Sequence, residues 1–285
     1  MSIKLEHVSY SYRDENSKHA LSDVSLEIHP GEFVGIAGHT GSGKSTLIQH
    51  FNGLMKPTSG HVYFDGQDIH EKGYSLKQLR GQVGLSFQYP EHQLFEVTVF
   101  DDVCFGPKNL GLEEEEIKKR ATEALEMVGL DEKYYNKSPF DLSGGQKRRV
   151  AIAGILAMRP KYFILDEPTA GLDPIGRDRI LHLLCKLREE MGITIILVTH
   201  SMEEVAEYVD RILVMDQGQL KFDDAPARVF EHKEELEKMG LSVPFVSYLM
   251  DDLKEAGFFT EDAKAITLEE AKKQILEAWK RKQTL

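Results

Sequence analysis

The sequence predicts an α/β fold: a mostly parallel, buried sheet with a glycine-rich loop at one strand end, a helical insertion, and a C-terminal helical appendage. Three observations predict it. Gly38-His39-Thr40-Gly41-Ser42-Gly43-Lys44-Ser45 fits G-x-x-x-x-G-K-[ST] between an apolar run, Phe33–Ala37, and a helical stretch, Ser45–Phe51. A second apolar run, Tyr162–Leu165, closes on Asp166-Glu167. Between them, residues from about 89 to 160 lose strand signals and read as helix and loop.

Taken in order, Ile3, Leu5, Val8, Tyr10 and Tyr12 alternate as a strand, the polar residues 13–19 make a loop, and Leu21–Ile28 is a second strand. Pro30-Gly31 turns into the strand Phe33–Ala37. Lys56–Gly60 is a turn, His61–Asp65 a strand with a hairpin signal at Asp65-Gly66, residues 75–81 a short helix, and Val83–Phe87 a strand. The insertion holds an acidic-led helix (Glu113 to Val128), a proline-interrupted loop, and a helix opened by Ser143. A helix (175–191), a strand (Ile193–Val198), a helix (202–208) and two short strands (211–215, 219–222) follow. From Pro226 onward the pattern is helical only, with Phe245, Val246, Leu249, Met250 and Leu253 on one face and Leu268, Ala271, Ile275 and Trp279 on another. The domain reading is 1–225 for the α/β unit with its insertion, and 226–285 for the extension.

The 285 residues suffice for one large or two modest domains. With 35 Lys+Arg against 47 Asp+Glu the formal net charge is −12, which opposes a nucleic-acid surface and its basic patch. Cys104 and Cys185 stand far apart in no metal spacing, which predicts a reducing compartment. No run approaches the ~18 apolar residues of a membrane span, and Met1–Leu5 has no signal-peptide core. A soluble cytoplasmic protein is expected, with any membrane role supplied by partners.

Glycines at 38, 41 and 43 let backbone N–H groups converge where the helix dipole adds partial positive charge. Lys44 can reach β- and γ-phosphates, and the Ser45 hydroxyl can ligate Mg²⁺. Asp166, about 120 positions later, fits the strand-end acid that holds the metal's water shell, and Glu167 is placed to polarise the attacking water.

Leu142-Ser143-Gly144-Gly145-Gln146, followed by Lys147-Arg148-Arg149-Val150, is the most specific stretch. It resembles the signature of the nucleotide-binding subunits of ATP-binding-cassette (ABC) transporters. The residues agree with that: Ser143 is a natural N-cap, and a second anion-binding helix start implies a site completed in trans by a subunit packed head to tail. The resemblance covers residues 1 to about 223 and implies an ABC-type P-loop domain: a RecA-like core, an antiparallel β subdomain and the inserted helices. It also assigns roles. Tyr12, which alone reads as a strand-face tyrosine, would stack on adenine, and Thr46 would join the ATP site. Gln88 would be the Q-loop ligand of Mg²⁺ or water, Gly171-Leu172-Asp173 the D-loop at the dimer interface, and His200 the switch histidine at the γ-phosphate. ATP and Mg²⁺ are the implied cofactors.

Within the superfamily, translation-factor types carry two cassettes, and chromosome types carry long heptad arms or zinc modules; neither is present. Phe87–Phe95, Phe105–Gly111, Gly154–Ala157 and Asp166–Pro174 closely resemble the ATPases of energy-coupling factor importers, the second paralogue more than the first. That implies a prokaryotic peripheral protein on the cytoplasmic membrane face, serving uptake of vitamins, other micronutrients or metal ions. Its partners would be a paralogous ATPase (a heterodimer rather than a homodimer), a transmembrane coupling protein and a substrate-binding membrane subunit, with no nucleic acid. The rival reading is a regulatory or DNA-metabolism ATPase of the same superfamily. Tyr89, Glu91, Phe95, Glu96 and Asp101, with Phe100 and Asp102, are expected to form an acidic, aromatic docking groove for a basic coupling helix. The C-terminal faces are expected to join ATPase subunits.

Overall fold

Successive residues of the central strands point to opposite faces, and that alternation builds two cores on the two faces of one sheet. A computed structural model describes residues 2–12, 19–259 and 263–283. The chain opens with β1 (Ile3–Tyr10) and β2 (Leu21–Ile28), then β3 (Phe33–Ala37), the glycine loop and α1 (Lys44–Phe51). β4 (Ser59–Phe64), β5 (Gln67–Asp68), α2 (Leu76–Gln82) and β6 (Val83–Ser86) follow. The insertion supplies α3 (Val99–Leu110), α4 (Glu114–Met127) and α5 (Gly144–Leu156). The sheet resumes with β7 (Tyr162–Asp166), α6 (Pro174–Met191), β8 (Thr194–Val198), α7 (Met202–Tyr208), β9 (Arg211–Asp216) and β10 (Gln219–Asp224). The chain ends in α8 (Pro226–Val229), α9 (Lys233–Lys238), α10 (Phe245–Glu255) and α11 (Leu268–Gln283).

Two sheets result. β2-β1-β4-β5 is antiparallel, and β10-β9-β3-β8-β7-β6 is parallel except for the β9–β10 hairpin. β3, β7 and β8 are buried at every position, as parallel strands covered on both faces must be. Phe33, Phe163, Leu165, Ile195 and Leu197 face the insertion and α6, whereas Val34, Ile36, Ile164, Ile196 and Val198 face α1 and the antiparallel sheet.

The largest departure from the sequence expectation is α3. The sequence reading names no helix over residues 99–110, yet Thr98 caps one by accepting from the Asp101 N–H, and Gly111 ends it in a left-handed turn. Gly106 is required by packing: a Cβ there would lie 2.8 Å from Met158 Cγ and 3.1 Å from the Gly154 carbonyl oxygen, so α3 and α5 meet only through a glycine. Tyr12 lies past the end of β1 rather than within it.

The C-terminal helices divide by packing. Val229, Phe230, Leu236, Leu241 and Val243 join the main core. Val246, Met250, Ala265 and Ala271 form a small separate core. Phe245, Leu268 and Trp279, read as members of the apolar faces, are exposed, so each face is covered only in part.

Candidate nucleotide site

The site gathers at the C-terminal ends of β3, β6, β7 and β8, where parallel strands release their loops. Gly38 leaves β3 with φ 154°, and an added Cβ would stand 2.4 Å from the Met215 carbonyl oxygen and from Ser42 Oγ. Gly43 has φ 107° and lies against the Ala20 carbonyl, where a Cβ would come within 2.6 Å. Both positions need glycine for the loop to curl. Lys44 Nζ donates to the Gly38 and His39 carbonyl oxygens at 2.7 and 3.1 Å. Burial lowers its pKa, and the charges of Glu167 and Asp166 oppose that shift.

Ser45 Oγ donates to Asp166 Oδ2 at 3.0 Å. Burial raises the Asp166 pKa; the Ser45 hydrogen bond works against it and the Glu167 charge adds to it. Glu167 sits in the left-handed region, φ 48°, with its N–H donating to the Val198 carbonyl at 2.9 Å. A non-glycine residue held there costs about 1–3 kcal/mol, which surrounding structure must offset. The turn aims its carboxylate sideways: Gln88 Nε2 donates to Oε2 at 3.1 Å and His200 Nδ1 lies 3.2 Å from Oε1. Residues from three strand ends therefore converge on Glu167. Tyr12 comes within reach through its hydroxyl, 2.8 Å from Thr46 Oγ1, with its ring edge-on to Tyr10 and largely exposed.

Ser143 and Gln146 form a reciprocal capping box at the start of α5: Ser143 Oγ accepts from the Gln146 N–H, and Gln146 Oε1 accepts from the Ser143 N–H at 2.9 Å. A Cβ added to Gly144 or Gly145 would meet nothing within 4 Å, so this helix start faces open space, and no described hydrogen bond joins it to the glycine loop. Gly171 turns with φ 73°, Leu172 donates its N–H to the Thr169 carbonyl, and Asp173 caps α6 by accepting from the Gly176 N–H at 2.8 Å.

Most of the residues expected to form an acidic docking ring have partners within the chain. Glu91 is not a free acid: it pairs bidentately with Arg148, Nη2 to Oε1 at 2.9 Å and Nε to Oε2 at 3.1 Å. Phe100 stacks on Tyr135 inside the insertion, and Asp102 accepts the Phe95 and Glu96 N–H groups. Asp101 accepts from Thr98 Oγ1 and lies 3.9 Å from Lys108. Tyr89, φ 56°, stacks on His92. Of the expected set, Phe95 does line a groove, of about 560 Å³, with Phe105, Leu110, Ile155 and Met158, and its charged rim is Lys77, Arg80 and Asp102. Sequence reasoning assigned no role to Arg148, which also donates to the Pro168 and Ala170 carbonyls at 2.9 and 2.8 Å. Its place in the basic run after Gln146 was the only signal.

A phosphate loop, two carboxylates closing a parallel strand and a signature helix start define a P-loop ATPase of the cassette class. Residues 21–170 match the sequence profile of the family described as ABC transporter, and the chain belongs to that family. It is 55% identical over 287 residues to the energy-coupling factor transporter ATP-binding protein EcfA2 of Clostridium tetani, covering 100% of this chain and 99% of the relative. It is 54% identical over 280 residues to EcfA2 of Clostridium perfringens, covering 97% and 98%. Among solved structures, cbiO1 of Clostridium perfringens, described as part of the ABC transporter complex cbiONQ, is 44% identical with a TM-score of 0.74, covering 87% of this chain and 98% of that one. The cassette MJ0796, in a dimeric post-hydrolysis state bound to ADP and Pi, is 36% identical with a TM-score of 0.71, covering 79% and 98%. Among the described residues, no helix is long and apolar enough to cross a membrane.

Proposed function

We propose that the chain is the ATP-binding and ATP-hydrolysing subunit of an energy-coupling factor importer, energising uptake of vitamins or other micronutrients through separate membrane subunits. The observation that carries the hydrolytic part is the division between adjacent carboxylates: Asp166 takes Ser45, whereas Glu167 hangs between Gln88 and His200. A carboxylate oriented by two partners keeps lone pairs for the proton of water attacking the γ-phosphate, a general-base role worth roughly 10²–10⁴ in rate. The loop N–H groups and Lys44 bind the phosphates, Tyr12 stacks on the nucleobase, and Thr46 joins the ATP site. Ser45, Asp166 and Gln88 offer a hydroxyl, a carboxylate and an amide oxygen, the hard donors that suit Mg²⁺. Mg²⁺, when bound, neutralises charge on the β- and γ-phosphate oxygens.

Leu142–Gln146 serves the nucleotide of a second ATPase subunit, and Gly171–Asp173 runs along that interface. The open space beside Gly144 and Gly145 supports this reading. The energy-coupling factor assignment is supported by relatives of that name spanning the whole chain. The partners are then a paralogous ATPase, a transmembrane coupling protein and a substrate-binding subunit at the cytoplasmic membrane face. The Phe95–Phe105 groove receives the coupling helix, with apolar side chains supplying most of the contact. The packing favours a division of the chain near residue 244 rather than 225, and the exposed ends of α10 and α11 serve subunit association.

Glu167→Gln is expected to retain ATP binding while turnover falls by at least about 10². Full ATPase activity in that variant would overturn the hydrolytic assignment. Affinity capture from membranes should bring down membrane subunits with the unmodified chain and lose them with Phe95→Asp. Retention on DNA at physiological salt, without membrane partners, would favour the rival reading.

A further inference from the structure

We propose that His39 and Asp216 form a proton-dependent latch that positions the phosphate loop, so that ATP affinity depends on the protonation of the His39 side chain. The proposal rests on the ATP reading of the loop. His39 sits at the second position of the glycine loop, and its side chain turns to the β9–β10 hairpin: Nε2 lies 3.0 Å from Asp216 Oδ1, and Nδ1 lies 2.8 Å from the Thr40 carbonyl oxygen. Both partners are acceptors. A carbonyl oxygen cannot donate, and an ionised carboxylate cannot either. A neutral imidazole carries one N–H and can satisfy only one of the two contacts; the imidazolium satisfies both.

The hairpin holds Asp216 firmly. Gln217 and Gly218 both have positive φ, 49° and 79°, the pattern of a tight two-residue turn matched to strand twist. The same turn grips the loop elsewhere: the Gly218 N–H donates to the Ser42 carbonyl at 2.9 Å, and Gly38 presses on the Met215 carbonyl. The latch also reaches the phosphate-binding lysine, because the His39 carbonyl accepts from Lys44 Nζ. The charged group paired with the ring is Asp216 from the hairpin; Lys44 of α1 bonds the His39 backbone carbonyl, and Asp166 and Glu167 of the β7 end act on Lys44. The His39 side chain is 37% exposed, so its proton exchanges with solvent.

Loss of that proton releases one anchor of the loop, and ATP affinity therefore falls as pH rises. The Asp216→Asn variant separates this from a merely structural role. Its amide can donate to Nε2 while Nδ1–H still donates to Thr40, so a neutral ring keeps both contacts and the pH dependence disappears.

The test is calorimetric binding of the non-hydrolysable imido analogue of ATP, with Mg²⁺, to the full chain from about pH 5 to about pH 8, where imidazole side chains change charge. Titration of the nucleotide's own phosphate is common to all variants and cancels in their ratios. Relative to Asp216→Asn, the unmodified chain is expected to lose affinity on the order of tenfold across this range, the worth of one charge-assisted hydrogen bond. His39→Asn should bind weakly and without this dependence, and the unfolding midpoints of the three proteins should not track the differences. Parallel pH profiles for the unmodified chain and Asp216→Asn overturn the latch alone, provided Lys44→Ala abolishes binding. Absence of binding by the unmodified chain overturns the ATP reading and the latch with it.

Discussion

Arg148 shows how one side chain can hold three parts of a cassette together. Its side chain is only 3% exposed, and it joins Glu91 after the Q-loop to α5 and to the carbonyls that follow Glu167. Burial pushes the Glu91 carboxyl up, but the Arg148 hydrogen bonds and charge outweigh it and hold the pKa below the ordinary value of 4.5. A carboxyl depressed on folding stabilises the protein above its unfolded pKa, and that contribution is lost as pH falls through the folded value. Glu91→Gln is therefore expected to destabilise the protein by about 3 kcal/mol at neutral pH. The gap between variant and unmodified protein should narrow as pH falls below the ordinary carboxylate value of 4.5 toward the depressed folded value. Thermal unfolding followed against pH checks this; a gap that persists in acid would show that the pair's charge is not the cause.

At the scale of elements, α5 begins with a cap that has two duties. Ser143 stabilises its own helix through the box with Gln146, and the function proposed above gives its hydroxyl a second duty, to a nucleotide in trans. Removing the cap with Ser143→Ala should cost about 1 kcal/mol of stability. If the hydroxyl also serves the partner's γ-phosphate, turnover of the assembled pair should fall by on the order of 10², the loss typical of one transition-state donor. Melting and steady-state ATPase measurements on the same samples separate the two. A fall in turnover no larger than the stability loss accounts for would leave only the structural duty.

For the whole molecule, the division of the C-terminal helices between the main core and a small separate one makes a prediction that a boundary at 225 would not. Cutting after residue 225 strips Val229, Phe230, Leu236, Leu241 and Val243 from the main core. At about 1.5–3 kcal/mol each, their burial is comparable to the total stability of a domain. A chain ending at residue 243 loses only the small cluster of Val246, Met250, Ala265 and Ala271. Residues 1–243 should melt cooperatively while 1–225 should not, as circular dichroism would record. If α10 and α11 join subunits, sedimentation should show weaker self-association or pairing for 1–243 than for the full chain. Unchanged association would remove that role.

The sequence by itself determined the motifs and the strands that carry them. Loop, strand-end acids and signature are each contiguous, and the short apolar runs Phe33–Ala37 and Tyr162–Leu165 read as buried strands, so β3, β7 and the Gly38–Ser45 loop were legible. The convergence of Gln88, Glu167 and His200 was expected only through family resemblance, since nothing local joins residues 79 and 33 positions apart. What only the tertiary structure decided lies in contacts between distant segments. α5 approaches the helix Val99–Leu110 closely at Gly106, Glu91 is withdrawn from solvent because Arg148 arrives from α5, and His39 acquires its latch from a hairpin 177 residues away. A chain's local pattern sets which groups can bind or turn; their partners, and therefore their charge and their freedom, are set by which segments the sheet order brings side by side.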